Sequence, residues 1–164
     1  MKKLIILRGN SGSGKTTVAR ALQRKIGRNT LLISQDMVRR EMLLVKDGPE
    51  NPAIPLLIGL LEYGWERVPV TILEGIFHAE WYAPLFERAA TFYRENIFAY
   101  YYDIPFEETL RRHQTRANRD AFGEKEMRDW WLEKDLIGSI PETILTKEMG
   151  IEQVVDMIYR AAMV

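Results

Sequence analysis

Apolar residues fall along the chain in two alternating rhythms. Residues 3–7 (Lys-Leu-Ile-Ile-Leu) are a short, nearly continuous apolar run, the pattern of a strand buried on both faces. Residues 18–26 instead space their apolar positions at Val18, Ala19, Leu22 and Ile26, one face of a helix. The exchange then repeats. Residues 31–34 predict a second strand, and 54–65 a helix carrying Leu57, Leu60 and Leu61. Residues 68–73 predict a third strand, with Pro69 tolerable near its start. A helix over 79–93 follows, apolar at Trp81, Leu85, Phe86 and Ala89, then an aromatic-rich fourth strand over 96–102. Pro105 suits the start of a helix over 106–119. Residues 124–136 predict a charged helix with Trp130, Trp131 and Leu132, and 143–145 a short last strand. A closing helix over 151–163 is apolar at Val154, Val155, Ile158 and Ala162. Strands alternating with helices predict an α/β fold: a parallel five-stranded sheet with helices on both faces. The length of 164 residues fits one domain over 1–164.

The turn between the first strand and the first helix changes the picture. Gly9-Asn10-Ser11-Gly12-Ser13-Gly14-Lys15-Thr16-Thr17 fits G-x-x-x-x-G-K-[ST], in the strand–turn–helix context that this pattern requires. Glycines let the backbone turn tightly, so that several N–H groups converge on one anion. The helix start adds unpaired N–H groups and its dipole. Lys15 is expected to reach the β- and γ-phosphates of a nucleoside triphosphate, and the Thr16 hydroxyl to bind Mg²⁺. An ordinary glycine turn before a helix is the plain alternative.

Composition narrows the rest. The chain has 23 basic and 23 acidic side chains, which argues against long nucleic acid as an obligate partner. There is no cysteine, so disulfides, thiolate metal sites and cysteine nucleophiles are excluded, and two histidines are too few for a histidine zinc site. Met1-Lys2-Lys3 resembles the basic start of a signal peptide, but the apolar run is short and Arg8 interrupts it. No apolar stretch approaches membrane length, and a cytoplasmic protein, monomer or homodimer, is expected with no membrane partner.

Other candidates lie at the carboxyl ends of the predicted strands, the ligand side of an α/β sheet. Asp36 and Arg39 are three apart and share a helical face. Asp36 reads either as a helix N-cap or as a carboxylate beside an acceptor hydroxyl, with Arg39 holding the acceptor or a phosphate. Glu74 ends the third strand, placed to serve Mg²⁺ through water, to contact the acceptor or to orient a water. His78 reads as a loop-packing residue or a substrate contact, and the tyrosines at 100–102 as core in preference to a base-stacking cluster. Arg112 and Arg116 are four apart, with Arg119 one turn on; they form a phosphate clamp or a solvated basic face. Residues 118–123 look like the tip of a lid, roughly 111–130, whose closure would exclude water. Residues 46–52 read as a surface loop, and 42–64 with 74–80 as the region that sets acceptor specificity. The loop at 146–150 is placed to border a nucleotide base.

Taken together, residues 9–17, 36–39 and the arginine-rich segment resemble the small kinases of the nucleoside-monophosphate-kinase-like class of P-loop proteins. Within that class the chain is most similar to polynucleotide 5′-hydroxyl kinase, chloramphenicol phosphotransferase and zeta-toxin-like kinases. Asp36-Met37-Val38-Arg39 matches an Asp-x-x-Arg of the polynucleotide-kinase-like members. The resemblance implies that Asp36 is the general base and that Arg39 contacts the acceptor. It also implies that Arg112, Arg116 and Arg119 meet phosphates or adenine. A sheet order of 2-3-1-4-5 and a preference for ATP follow from the same resemblance. The expected activity is ATP-dependent transfer of the γ-phosphate to a hydroxyl of a small molecule. The alternatives are transfer to the 5′ end of a nucleic acid, and a nucleotide-binding regulatory or toxin-like protein with weak ATPase activity.

Overall fold

The structure, a computed structural model, describes residues 1–117 and 119–164. Five parallel strands form one sheet: β1 Lys3–Gly9, β2 Thr30–Ser34, β3 Val70–Gly75, β4 Ile97–Tyr102 and β5 Glu142–Leu145. Their order is β2-β3-β1-β4-β5, the expected 2-3-1-4-5. The register pairs Leu7 of β1 with Glu74 on one side and with Tyr100 on the other.

Strand alternation sorts β1 between two cores. Leu4 and Ile6 enter one layer, and Ile5 and Leu7 the other. Helices α2 (Ala53–Arg67) and α3 (Ala83–Tyr93) cover the first face through Leu57, Leu61, Leu85, Phe86 and Ala89. Helices α1 (Lys15–Ile26) and α6 (Ile151–Met163) cover the second through Val18, Leu22, Val155 and Ile158. The tyrosines of β4 are core, as expected: Tyr100, Tyr101 and Tyr102 are all buried.

Two predicted helices are shorter than their periodicity suggests. The helix read over 106–119 is α4, Phe106–Gln114. Thr115 N–H donates to Arg112 O, three residues back, and the Thr115 hydroxyl takes the same carbonyl, so the last turn tightens and stops. Arg116 and Arg119 therefore lie beyond the helix rather than on its face. The helix read over 124–136 is α5, Glu124–Asp129; beyond it the chain is drawn into contacts with β1, described below. The helix read from residue 79 begins at Ala83, with Pro84 in its first turn. Of the expected lid tip, Asn118 lies outside the described residues. After β2, residues Met37–Met42 form a π-helical turn in which Leu43 N–H donates to Val38 O, five residues back.

One feature that periodicity concealed organises the carboxyl edge of the sheet. Arg8, on the same face of β1 as Leu4 and Ile6, is fully buried. Its guanidinium donates to Phe77 O (2.7 Å), Asp135 O (2.7 Å), the Asp135 carboxylate (2.9 Å) and the Glu142 carboxylate (2.9 Å). The rings of Phe86 and Tyr101 lie 5.4 and 5.5 Å from its carbon. Removing one side of a buried ion pair leaves the other uncompensated. Arg8→Met is expected to destabilise the fold by about 3–5 kcal/mol in urea unfolding. A loss under about 1 kcal/mol would mean that water reaches these carboxylates when Arg8 is gone.

Candidate active site

The loop from Gly9 to Thr16 runs from β1 into α1 along this carboxyl edge. Gly12 has φ +81°, and a Cβ there would lie 2.4 Å from Thr109 O, so glycine is what lets α4 close against the loop. Gly14, at φ +99°, turns the chain into α1. Ser13 is buried, and its Oγ has no hydrogen-bond partner in the protein. Lys15 is 8% exposed, and its Nζ donates to Asn10 O at 3.1 Å. Burial lowers its pKa; the charges of Glu74, then Asp36, oppose that shift, and Arg116 adds to it. Groups from the ends of three strands and from the segment after α4 thus share one electrostatic environment at Lys15. The Thr16 hydroxyl donates to Glu74 Oε2 at 3.1 Å. A hydroxyl and a carboxylate side by side are hard oxygen donors suited to Mg²⁺, which is commonly held by one or two protein groups together with waters and phosphates.

Arg112 ties three segments together. It donates to Ser13 O in the loop (2.7 Å), to Glu108 within α4 (2.9 Å) and to Lys147 O after β5 (3.3 Å). Hydrogen bonds from Arg111 and Arg112 hold the Glu108 carboxyl down at about 2. A groove of about 380 Å³ lies between these parts, bordered by Gly12, Gly14, Lys15, Thr16, Thr17, Arg112, Arg116 and residues 147–151. Its donors suit a nucleoside triphosphate, and the loop at 146–150 borders it through residues 147–150. Arg119 does not border this groove; its carbonyl lies 3.1 Å from His113 Nε2.

On the other side of the loop, Asp36 and Arg39 stand on the turn after β2. Arg39 donates to Asp36 Oδ1 at 3.3 Å, and Arg40 Nε lies 3.8 Å from the same oxygen. The Asp36 side chain remains 58% exposed and makes no N-cap hydrogen bond. Arg39 also borders a second cavity, of about 570 Å³, walled by Ile76, His78, Trp81, Trp130, Trp131 and Leu132. His78, read as loop packing or substrate contact, stacks on Trp81 at 4.2 Å and lines that cavity.

Two parts of the site escaped the sequence reading. Asn10, expected to face a nucleotide, instead pairs its side chain with the Leu132 backbone: Nδ2 donates to Leu132 O and Oδ1 accepts from Leu132 N–H, both at 2.8 Å. This pair links the loop to the chain after α5, and an amide at a variable position of the glycine pattern was its one available signal. The second is a polar knot of Gln35, Asp47, Asn51 and Tyr82, in which the Tyr82 hydroxyl donates to Asp47 at 2.7 Å and accepts from Gln35 at 2.8 Å. It holds the 46–52 loop against the core. Burial first, and then the bond to Asp47, push the Tyr82 phenol upward.

The comparisons with known proteins agree with this architecture. Residues 4–130 match the family model described as an AAA domain, and the chain belongs to that family. A gluconokinase from Sinorhizobium meliloti 1021 superposes with a TM-score of 0.69 at 15% identity, over 98% of this chain and 93% of that one. A shikimate kinase from Acinetobacter baumannii gives 0.61 at 19% identity, over 98% and 93%. A chain of the Pnkp1/Rnl/Hen1 RNA repair complex gives 0.59 at 20% identity, over 91% of this chain and 51% of that one. No curated protein sequence matches at a significant level. The fold is that of the small P-loop NTPases. Among the described residues, no helix is long and apolar enough to cross a membrane.

The Asn10–Leu132 pair has a direct consequence for mobility. Asn10→Ala leaves a part-buried N–H and carbonyl unpaired, at a cost of about 1–3 kcal/mol. The amide of Leu132 is expected to exchange with deuterium roughly ten- to a hundredfold faster, while the amides of β1 stay protected. Unchanged exchange at Leu132 would show that other contacts hold this segment to the loop.

Proposed function

We propose that this protein is an ATP-dependent phosphotransferase that moves the γ-phosphoryl group to a hydroxyl of a small acceptor. The observation that carries the reading is a second compartment besides the groove that Lys15 borders. The groove is suited to phosphates, and the second, walled cavity has at its border Arg39, the ion-pair partner of Asp36. A protein that only held or hydrolysed a nucleotide has no need of the second compartment.

In this reading residues 9–17 cradle the phosphates, with Lys15 against the β- and γ-phosphates. Arg112 reaches the loop from α4, and Arg116 borders the groove. Their cationic charges offset the charge that spreads over the transferring group. Arg119, outside the groove, has no part in this assignment. Thr16 and Glu74 would hold Mg²⁺, which supplies further counter-charge to the phosphate oxygens. Asp36 accepts the proton of the acceptor hydroxyl, and its exposure gives that proton a route to solvent. The acceptor oxygen forms its bond to phosphorus as the bond to the β–γ bridging oxygen breaks, and ADP leaves with that electron pair. Arg39 holds the acceptor side. Likeness to a gluconokinase and a shikimate kinase supports a small acceptor; likeness to a chain of an RNA repair complex keeps the 5′-hydroxyl of a nucleic acid as the competing reading.

The test is ADP release that depends on an added alcohol. Lys15→Ala is expected to abolish transfer. Asp36→Asn is expected to lower turnover by roughly 10²- to 10⁴-fold while the affinity for ATP shifts by no more than about twofold. Near-normal turnover in Asp36→Asn would remove it as the base. Transfer to an oligonucleotide 5′ end with a steep salt dependence, and none to small alcohols, would replace the small-acceptor reading with the nucleic-acid one.

A further inference from the structure

The second cavity carries information about what enters it. Four of its walls are flat rings: His78 stacked on Trp81, with Trp130 and Trp131 from the chain after α5. At one end stands Arg39, 11% exposed, whose Nε is buried and has no hydrogen-bond partner in the protein. His78 Nδ1 is likewise buried and unpaired. Neither atom is reached by water, so an occupant meets them only if the side chains turn; the charges on the cavity border bear on its occupant directly. Three cations border the cavity, Arg39, Arg40 and the exposed Lys46, and they favour an occupant with an acceptor such as a carboxylate or phosphate oxygen. Two carboxylates border it as well: Asp47, already taken up by Tyr82, Gln35 and Asn51, and Asp129. A cavity of about 570 Å³ is large for a single small polyol and within the range that holds drug-sized ligands.

We infer that the acceptor is a planar aromatic compound that bears both a free alcohol and an anionic group. The ring stacks among Trp81, Trp130 and Trp131, the anion meets Arg39, and the alcohol is thereby brought to the Asp36 side. This deepens the phosphotransferase reading and rests on it for the word acceptor, but ring and anion recognition can be measured without ATP. The chemistry is shared by aromatic hydroxy acids and by nucleoside monophosphates with a free 5′-hydroxyl; a polyhydroxy acid such as gluconate lacks the ring.

Quenching of tryptophan fluorescence, with isothermal titration as a second readout, tests it on the intact protein. The probes are 6-(hydroxymethyl)-2-naphthoate, adenosine 3′-monophosphate, 2-naphthylmethanol as the uncharged ring, and gluconate as the anion without a ring. At least one of the two anionic ring compounds is expected to bind, and to bind roughly tenfold or more tightly than both controls. Which of the two binds better tells a nucleotide ring from another aromatic. Trp130→Ala and Arg39→Gln are each expected to weaken that binding roughly tenfold, with Trp130→Phe restoring it. Unchanged far-UV circular dichroism and an unchanged thermal unfolding midpoint report that the variants are folded. Binding of gluconate as tight as that of the ring compounds overturns the inference, as does absence of binding by both ring compounds, or ring binding indifferent to Trp130→Ala. If the ring compounds bind as expected but no alcohol probe supports ADP release, the inference about the cavity stands and the phosphotransferase reading fails.

Discussion

The site depends on one buried charge. Arg8 is the residue of β1 just before the phosphate loop begins, and it has no exposure to water. A guanidinium in that position is tolerable only if its donors are satisfied and its charge is balanced, and both conditions are met by segments far away in sequence. Phe77 O comes from the loop after β3, Asp135 from the chain after α5, and Glu142 from the start of β5. Asp135 passes the constraint on, because its carboxylate also accepts from Ala79 N–H and its own N–H donates to the Tyr101 hydroxyl. The wall of the second cavity from Ile76 to Trp81, and the return segment that carries Trp130 to Leu132, are therefore fixed relative to the phosphate loop by one side chain. An apolar residue at Arg8 could pack the core, but it would offer nothing to orient three polar segments against each other.

The same segments are also linked from the loop itself and from the acceptor side. Asn10 holds both backbone groups of Leu132, and Arg40 lies 5.6 Å from the rings of both Phe122 and Trp130. His113 Nε2 stands 2.8 Å from Phe122 O and 3.1 Å from Arg119 O, so this nitrogen carries the proton and gathers the tip of the segment onto α4. Its ring stacks on Phe122 at 4.5 Å. Discrete polar and aromatic contacts thus tie residues 119–132 to α4, to Arg40 and to the phosphate loop.

The sheet and its two layers were legible because they follow from local pattern. Alternating burial along β1 and the apolar faces of α1 and α6 are written in the spacing of Ile5, Leu7, Val18, Leu22, Val155 and Ile158. The glycine loop was legible because its backbone demands are local too. Much of what was not legible came from contacts that local pattern does not encode, several of them between residues more than a hundred positions apart. Residues 130–136 have helical spacing, yet Leu132 gives its backbone to Asn10 and Asp135 gives its carbonyl to Arg8, so tertiary hydrogen bonds override the periodicity. Arg116 and Arg119 failed as helix-face residues for a comparable reason: Thr115 and His113 claim the carbonyls and the turn that a longer helix would need. Arg8 itself read as an interruption of an apolar run, because nothing nearby in the sequence announces the carboxylates that meet it.

Water exclusion decides which reaction such a site can favour. In the proposed reaction, a phosphoryl group held by Lys15, Arg112 and Arg116 is open to attack by any oxygen that reaches it, and water is the most abundant. Transfer to a chosen alcohol therefore requires that the acceptor be seated and water displaced before the phosphate is attacked. In the proposed reaction the wall that seats the acceptor is tied to the phosphate loop: Trp130, Trp131 and Leu132 line the cavity, and Leu132 is fastened to Asn10. An occupant that stacks on these rings adds contacts that stabilise the closed arrangement. Binding energy on the acceptor side can in that way order the donor side, so that hydrolysis is suppressed when the cavity is empty and transfer is favoured when it is filled. The coupling needs no long-range pathway, because Leu132, which lines the cavity, is fastened directly to Asn10 of the phosphate loop.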